Sequence, residues 1–391
     1  MNILKKQEGS ASIFWILIII ILLGISAWIT VDLLNLIEIP EQYSIKKYIT
    51  EFANLEYEFD EDNVEKRIVK RKVNSTTSSN DGDYDIDVGN VVGKQEGYDE
   101  SDDLYIYKRY YYMQLDSDGK LIYDAIIDNL SNLKSGEYTI DFGDRFNDLL
   151  NTENGEEILN NHFQSALNAV LLDNPDVFYL DITKMYLLTK STTYAFFGTK
   201  YEVSIGAVDG RSYLNKGFTS SNISRAEANL ENIKAGIVRN ATGDTVNKIK
   251  KVHDYLIDNL EYDSTFENDN IYNMYGALVN NLTVCEGYAK AFKSIMDDLE
   301  IPCVVVCGYA QNSKGETENH AWNYVMIDNE WYAIDTTWDD PIIIGGGVAS
   351  QESKYKYFLR GSEYMESDHE EDGELVEGAN FAYPNLNKID Y

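Results

Sequence analysis

Residues 13–31 ("IFWILIIIILLGISAWITV") form an unbroken apolar run, and no charged residue falls between Gly9 and Val31. At about 1.5 Å per residue this run is long enough to cross a bilayer core of roughly 30 Å, so it predicts a transmembrane helix. Lys5 and Lys6 precede it, and Asp32, Glu38 and Glu41 follow it. The positive-inside rule therefore puts residues 1–12 in the cytoplasm and the remainder outside. The run passes straight into "DLLNLIEIP" with no small-residue cleavage site, which favours an uncleaved membrane anchor over a signal peptide.

From 32 to 103 apolar periodicity disappears. The stretches "NSTTSSNDGDYDIDVGN" and "KQEGYDESDD" read as an acidic flexible stalk. Asp81, Asp83, Asp85 and Asp87 alternate there, but without the glycine and distant glutamate of a calcium-binding loop. Periodicity returns in residues 104–215 as a small α+β module, with helices over 119–133 and 156–172 and strands over 177–188 and 194–208. Residues 216–391 then form a larger domain. One helix opens at the capping-box sequence "SRAE", Ser224 to Glu227. A second, over 245–260, buries Val246, Ile249, Val252, Leu256 and Leu260.

Within that domain "TVCEGYAKAF" follows the Thr-x-x-Glu capping pattern from Thr283 to Glu286. Tyr288, Phe292, Ile295, Met296 and Leu299 then form one helical face until Pro302. Cys285 thus falls in the first turn. Helix-start N–H groups and the positive end of the helix dipole favour a thiolate there and can hold an oxyanion. The bland alternative is a small buried hydrophobe, so the thiol needs a base nearby.

Downstream, apolar alternation around "DNE" predicts a hairpin with strands over 320–327 and 331–336. If Asp328 and Asn329 form a two-residue turn, Ile327 faces Glu330 and Asp335 falls opposite Trp322. His320 then lies on the same face as a diagonal neighbour of Asp335. The carboxylate can orient the imidazole, and the imidazole can serve the thiol. A three-residue loop would put Asp335 on the other face.

Charge and cysteine count narrow the partners. With 66 acidic and 33 basic residues the net charge is -33, which repels nucleic acid. The three cysteines, Cys285, Cys303 and Cys307, are too few for a disulfide scaffold. Cys303 and Cys307 stand four residues apart in a β-branched run, roughly 13 Å along a strand, too far to bond. The other histidines read as structural: His162 as a surface or packing residue, His253 as packed or hydrogen-bonded beside an apolar stripe, His369 as solvated in an acidic stretch.

"LTVCEGYAKAFKSIMDDLEIPCVVVCGYA", "NHAWNYVMIDNEWYAIDTTWDDP" and "YKYFLRG" together resemble the bacterial transglutaminase-like domain, over about residues 245–361. The helix "IKKVHDYLIDNLEYDS" fits it too, and "LLDNPDVFYLD" more loosely resembles a region that precedes this domain in membrane-anchored members. The resemblance implies a papain-related α+β core with Cys285 as nucleophile, His320 as general base and acid, and Asp335 as its orienter. It implies no metal and no organic cofactor, and it leaves the reaction open between acyl transfer to amines and amide hydrolysis. The expected substrates are proteins or peptides of the cell surface or wall. A non-catalytic surface module that binds through the same cleft is the alternative. An arylamine acyltransferase also has this residue order, but the "DTTWDDP" ending looks less like that family.

Overall fold

The computed structural model describes residues 107–194, 198–208, 211–312, 315–340, 352–376 and 379–391. The expected tail, transmembrane helix and stalk, over 1–12, 13–31 and 32–103, lie outside the described residues. Among the described residues no helix is long and apolar enough to cross a membrane. One hydrophobic core runs from Tyr110 to Tyr383.

Helix α1 (Ser117–Asp128) begins where the Asp116 side chain accepts from the Gly119 N–H at 2.7 Å, a side-chain cap for a backbone donor with no helical partner. After strand β1 (Ile140–Gly143), helix α2 (Gly155–Asp173) packs on α1 and buries Leu159, Phe163, Leu167 and Val170. These recur at three- and four-residue spacing and are all buried. Strands β2 (Tyr186–Tyr194) and β3 (Gly198–Gly206) complete a three-stranded antiparallel sheet in the order β1-β3-β2. The strand expected from residue 177 begins only at Tyr186. Val177, Phe178, Tyr179 and Leu180 are all buried, but they form no strand, only one isolated bridge from Leu180 to Leu214, ahead of a 3-10 turn over Ile182–Lys184. Consecutive burial marks a core segment without making it a strand.

Helix α3 (Ile223–Asn240) starts one residue before the expected capping box. Its N-cap is Asn222, and no side chain caps it. Helix α4 (Thr245–Asn259) is capped by Asp244, whose carboxylate accepts from the Asn247 N–H at 2.9 Å. It leads into β4 (Glu261–Tyr262), which pairs in parallel with β5 (Leu282–Thr283) and so sets the approach to helix α5 (Cys285–Asp298).

Helix α5 is central: every residue from Gly287 to Met296 is buried, against strands β6 (Cys303–Gln311) and β7 (Thr317–Ile327) on one side. Burying Phe292, Ile295 and Met296 contributes about 1.5–3 kcal/mol each. Strands β8 (Glu330–Ile334), β9 (Phe358–Arg360) and β10 (His369–Glu371) complete a five-stranded antiparallel sheet in the order β10-β6-β7-β8-β9. Asp328 and Asn329 both have positive φ, 52° and 67°, as a two-residue type I′ turn requires, and Ile327 pairs with Glu330. Asn323 pairs with Ile334, so the next step of the register sets Asp335 beside Trp322.

Candidate active site

The thiol is set by the start of α5. Val284 is the N-cap, with an extended backbone and no side-chain cap, so the capping box expected at Thr283 does not form. Instead the Thr283 hydroxyl donates to the Ile271 carbonyl at 2.6 Å, tying β5 to the preceding loop. Cys285 is the first helical residue. Gly287 lets the chain turn in so tightly because a Cβ there would stand 1.8 Å from Thr283 Oγ1.

The structure brings Cys285, His320 and Asp335 together. His320 Nε2 donates to Asp335 Oδ2 at 2.7 Å, and the Cys285 sulfur lies close enough to the same ring to raise its basicity. Asp335 Oδ1 accepts from the Thr337 and Trp338 N–H groups at 2.9 and 3.1 Å. These two bonds explain "DTTW": the aspartate closes a turn at the end of β8 and is locked by it. Burial works against ionising Asp335, but His320 and His369 outweigh it and hold its carboxyl well below the usual range. Burial alone would push His320 down. The Asp335 carboxylate and the Cys285 sulfur raise it instead to about 10. The ring sits between two indoles, with its centroid 6.0 Å from Trp322 and 5.1 Å from Trp338.

The other two cysteines differ. Cys303 is fully buried, and burial pushes its thiol far up. Burial pushes the Cys307 thiol up to about 12. All three are free, and only Cys285 has a histidine.

His369 overturns the expectation of a solvated side chain. It is 7% exposed, and its Nε2 lies 3.2 Å from the same Asp335 Oδ2 that His320 uses. Its Nδ1 lies 2.7 Å from Asp368 Oδ1. By atom type, His320, Asp335 and His369 could take a metal ion, since their ligand atoms lie within 4.8 Å of one another. Their 2.7 and 3.2 Å separations are those of N–H···O bonds and describe shared protons. His253 is fully buried, with Nε2 3.0 Å from Asp339 Oδ2, and is the hydrogen-bonded helical histidine expected. His162 pairs with Asp116 at 2.7 Å.

The sequence model of the transglutaminase-like superfamily matches residues 231–336, a stretch that holds Cys285, His320 and Asp335. The chain contains a transglutaminase-like domain. It is 26% identical over 128 residues to mouse kyphoscoliosis peptidase and 25% identical over 129 residues to the human protein. Each match covers 30% of this chain and 19% of the relative, so the chain spans a small part of the curated proteins it matches. Among solved structures it is similar to one described as a TGase, with 15% identity, TM-score 0.27, and coverage of 45% of this chain and 50% of that one. It is also similar to the periplasmic domain of TgpA from Pseudomonas aeruginosa, with 15% identity, TM-score 0.23, and coverage of 40% and 63%. The transglutaminase-like match ends at Thr336, so His369 lies beyond it.

Proposed function

We propose that this protein is an acyl-transfer enzyme in which Cys285 attacks a side-chain or peptide amide, His320 serves as general base and acid, and Asp335 orients His320. The observation supporting this most directly is the 2.7 Å bond from His320 to the buried Asp335, on a ring whose basicity the Cys285 sulfur also raises. In this reading the sulfur's electron pair forms the C–S bond, and the carbonyl π pair moves onto oxygen near the N-terminal N–H groups of α5. The His320 imidazolium gives its proton to the departing nitrogen, the C–N bond breaks and a thioester remains. Water or a primary amine then attacks. His320 takes its proton, the C–S bond breaks and the thiolate returns.

The proposed substrates are amides of proteins or wall peptides, and the net charge of -33 modestly favours cationic amines as acceptors. Incubating the full chain with a labelled primary amine and a glutamine-rich protein tests the chemistry. Label incorporation or ammonia release is expected from the wild type and is expected to vanish in Cys285→Ala. Equal output from the two proteins rejects the assignment.

We also propose that residues 13–31 anchor the chain with the catalytic domain outside the cell. External protease on intact cells should then cut between about residues 61 and 103, where composition predicts an open stalk. Complete protection until lysis would place the domain in the cytoplasm.

A further inference from the structure

We propose that His369 is a positioning residue of this site, held by Asp368 and donating to Asp335 so that the carboxylate stays aimed at His320. This rests on the reading of Cys285, His320 and Asp335 as the reacting set and adds a residue from outside the matched domain.

The first support is how Asp335 is held. Its two backbone donors both bind Oδ1, so they fix one end of the carboxylate and leave the other to the side chains. Among the described residues Oδ2 receives only imidazole nitrogens, His320 at 2.7 Å and His369 at 3.2 Å. Without His369, one hydrogen bond to a ring that must itself move protons would alone fix that oxygen. With it, Oδ2 has a donor that takes no part in the chemistry.

The second support is that His369 is itself built in. Strand β10 pairs His369 with Ala310 of β6, and Glu371 with Gly308. Gly308 permits that approach, because a Cβ there would stand 2.1 Å from the Glu370 carbonyl oxygen. His369 is buried, while Glu370 and Glu371 are exposed. Its ring centroid lies 4.8 Å from Trp338, 5.0 Å from Trp322 and 5.6 Å from His320. Asp368 Oδ1 takes its Nδ1, and the Tyr357 hydroxyl donates to Asp368 Oδ2 at 2.7 Å. The Tyr357 N–H donates to Asp339 Oδ1 at 2.8 Å. The ring is therefore set between two carboxylates, with Nε2 on Asp335 and Nδ1 on Asp368.

Packing alone would make any substitute of similar size equivalent, whereas positioning depends on which nitrogen survives. Glutamine places its amide nitrogen near Nε2 and can still donate to Asp335. Asparagine places it near Nδ1 and can serve only Asp368. Phenylalanine keeps the ring and serves neither.

The test measures the alkylation rate of Cys285 in the full chain by iodoacetamide near pH 6, with peptide mapping and the melting temperature of each variant. His369→Gln is expected to stay within about threefold of wild type, while His369→Asn and His369→Phe fall about tenfold or more, as removal of an orienting partner generally costs. Equal rates for the Gln and Asn variants, whether both fast or both slow, overturn the inference. Because those two differ by one methylene, the comparison stands even if the Phe variant does not fold. His320→Ala separates the two readings. A slow His320→Ala with wild-type rates in all His369 variants rejects the role of His369 alone. An unchanged rate in His320→Ala rejects the triad and the His369 inference together.

Discussion

Asp335→Asn is expected to slow thioester formation by roughly 10³- to 10⁴-fold while leaving the fold in place. The amide oxygen can occupy the Oδ1 position and keep both bonds from Thr337 and Trp338, so the turn after β8 survives. The amide nitrogen then stands where Oδ2 was, 2.7 Å from His320 Nε2 and 3.2 Å from His369 Nε2. It brings N–H groups against N–H groups. His320 can relieve the clash only by giving up its Nε2 proton, and a neutral ring that keeps its proton on Nδ1 cannot act as base through that nitrogen. The carboxylate's charge is lost as well, and that charge is the largest influence raising His320 to about 10. The folded-state value of His320 must therefore drop. In the pH profile of Cys285 alkylation, the limb that reports loss of the His320 proton should move to lower pH in Asp335→Asn. A rate within tenfold of wild type, or a limb that stays in place, would remove Asp335 from its proposed role.

The hairpin was readable because its information is local. A two-residue turn of Asp328 and Asn329 leaves a single register, and that register carries His320 and Asp335 to one face. The Cys285 helix start was readable from the apolar spacing of Tyr288, Phe292 and Ile295. The capping details were not. Thr283 has the right spacing, but β5 already holds its backbone extended, and its hydroxyl finds the Ile271 carbonyl instead of an N–H of α5. Ser224 lies within a helix that began at Ile223. His369 escaped for a different reason. In "SDHEEDGE" the average composition is acidic and polar, and a three-residue strand is too short for alternation to show. Its inward face is decided by pairing with β6, some sixty positions earlier, and by Gly308 admitting the chain. No local pattern encodes a contact of that kind.

The second large effect concerns stability and the underside of α5. Lys293→Met should destabilise the fold by about 3 kcal/mol, because breaking a buried ion pair leaves an uncompensated charge. Lys293 is fully buried, and its Nζ donates to both oxygens of Asp297 at 2.6 Å. The same ammonium also favours the charged form of Asp173, on α2, which is 3% exposed and accepts from the Tyr111 and Tyr112 N–H groups at 3.0 and 2.9 Å. Burial nevertheless pushes the Asp173 carboxyl up to about 7. A carboxyl raised in the folded state contributes stability that is full below its unfolded value and is lost as pH rises through its folded value. Removing the cation raises Asp173 further and extends that loss to higher pH. The cost of Lys293→Met should therefore be larger at about pH 8 than at about pH 5, where Asp173 is already neutral when folded. Adding Asp297→Leu removes the stranded partner with a side chain of similar volume and should recover much of the loss at the lower pH. At the higher pH the recovery should be smaller, since Asp173 still lacks its cation. Urea unfolding midpoints of the single and double variants at the two pH values measure this. Equal costs at both pH values would show that Lys293 does not couple α2 to α5, and a cost under about 1 kcal/mol would mean that the buried pair gives way to water or protonation too easily to matter.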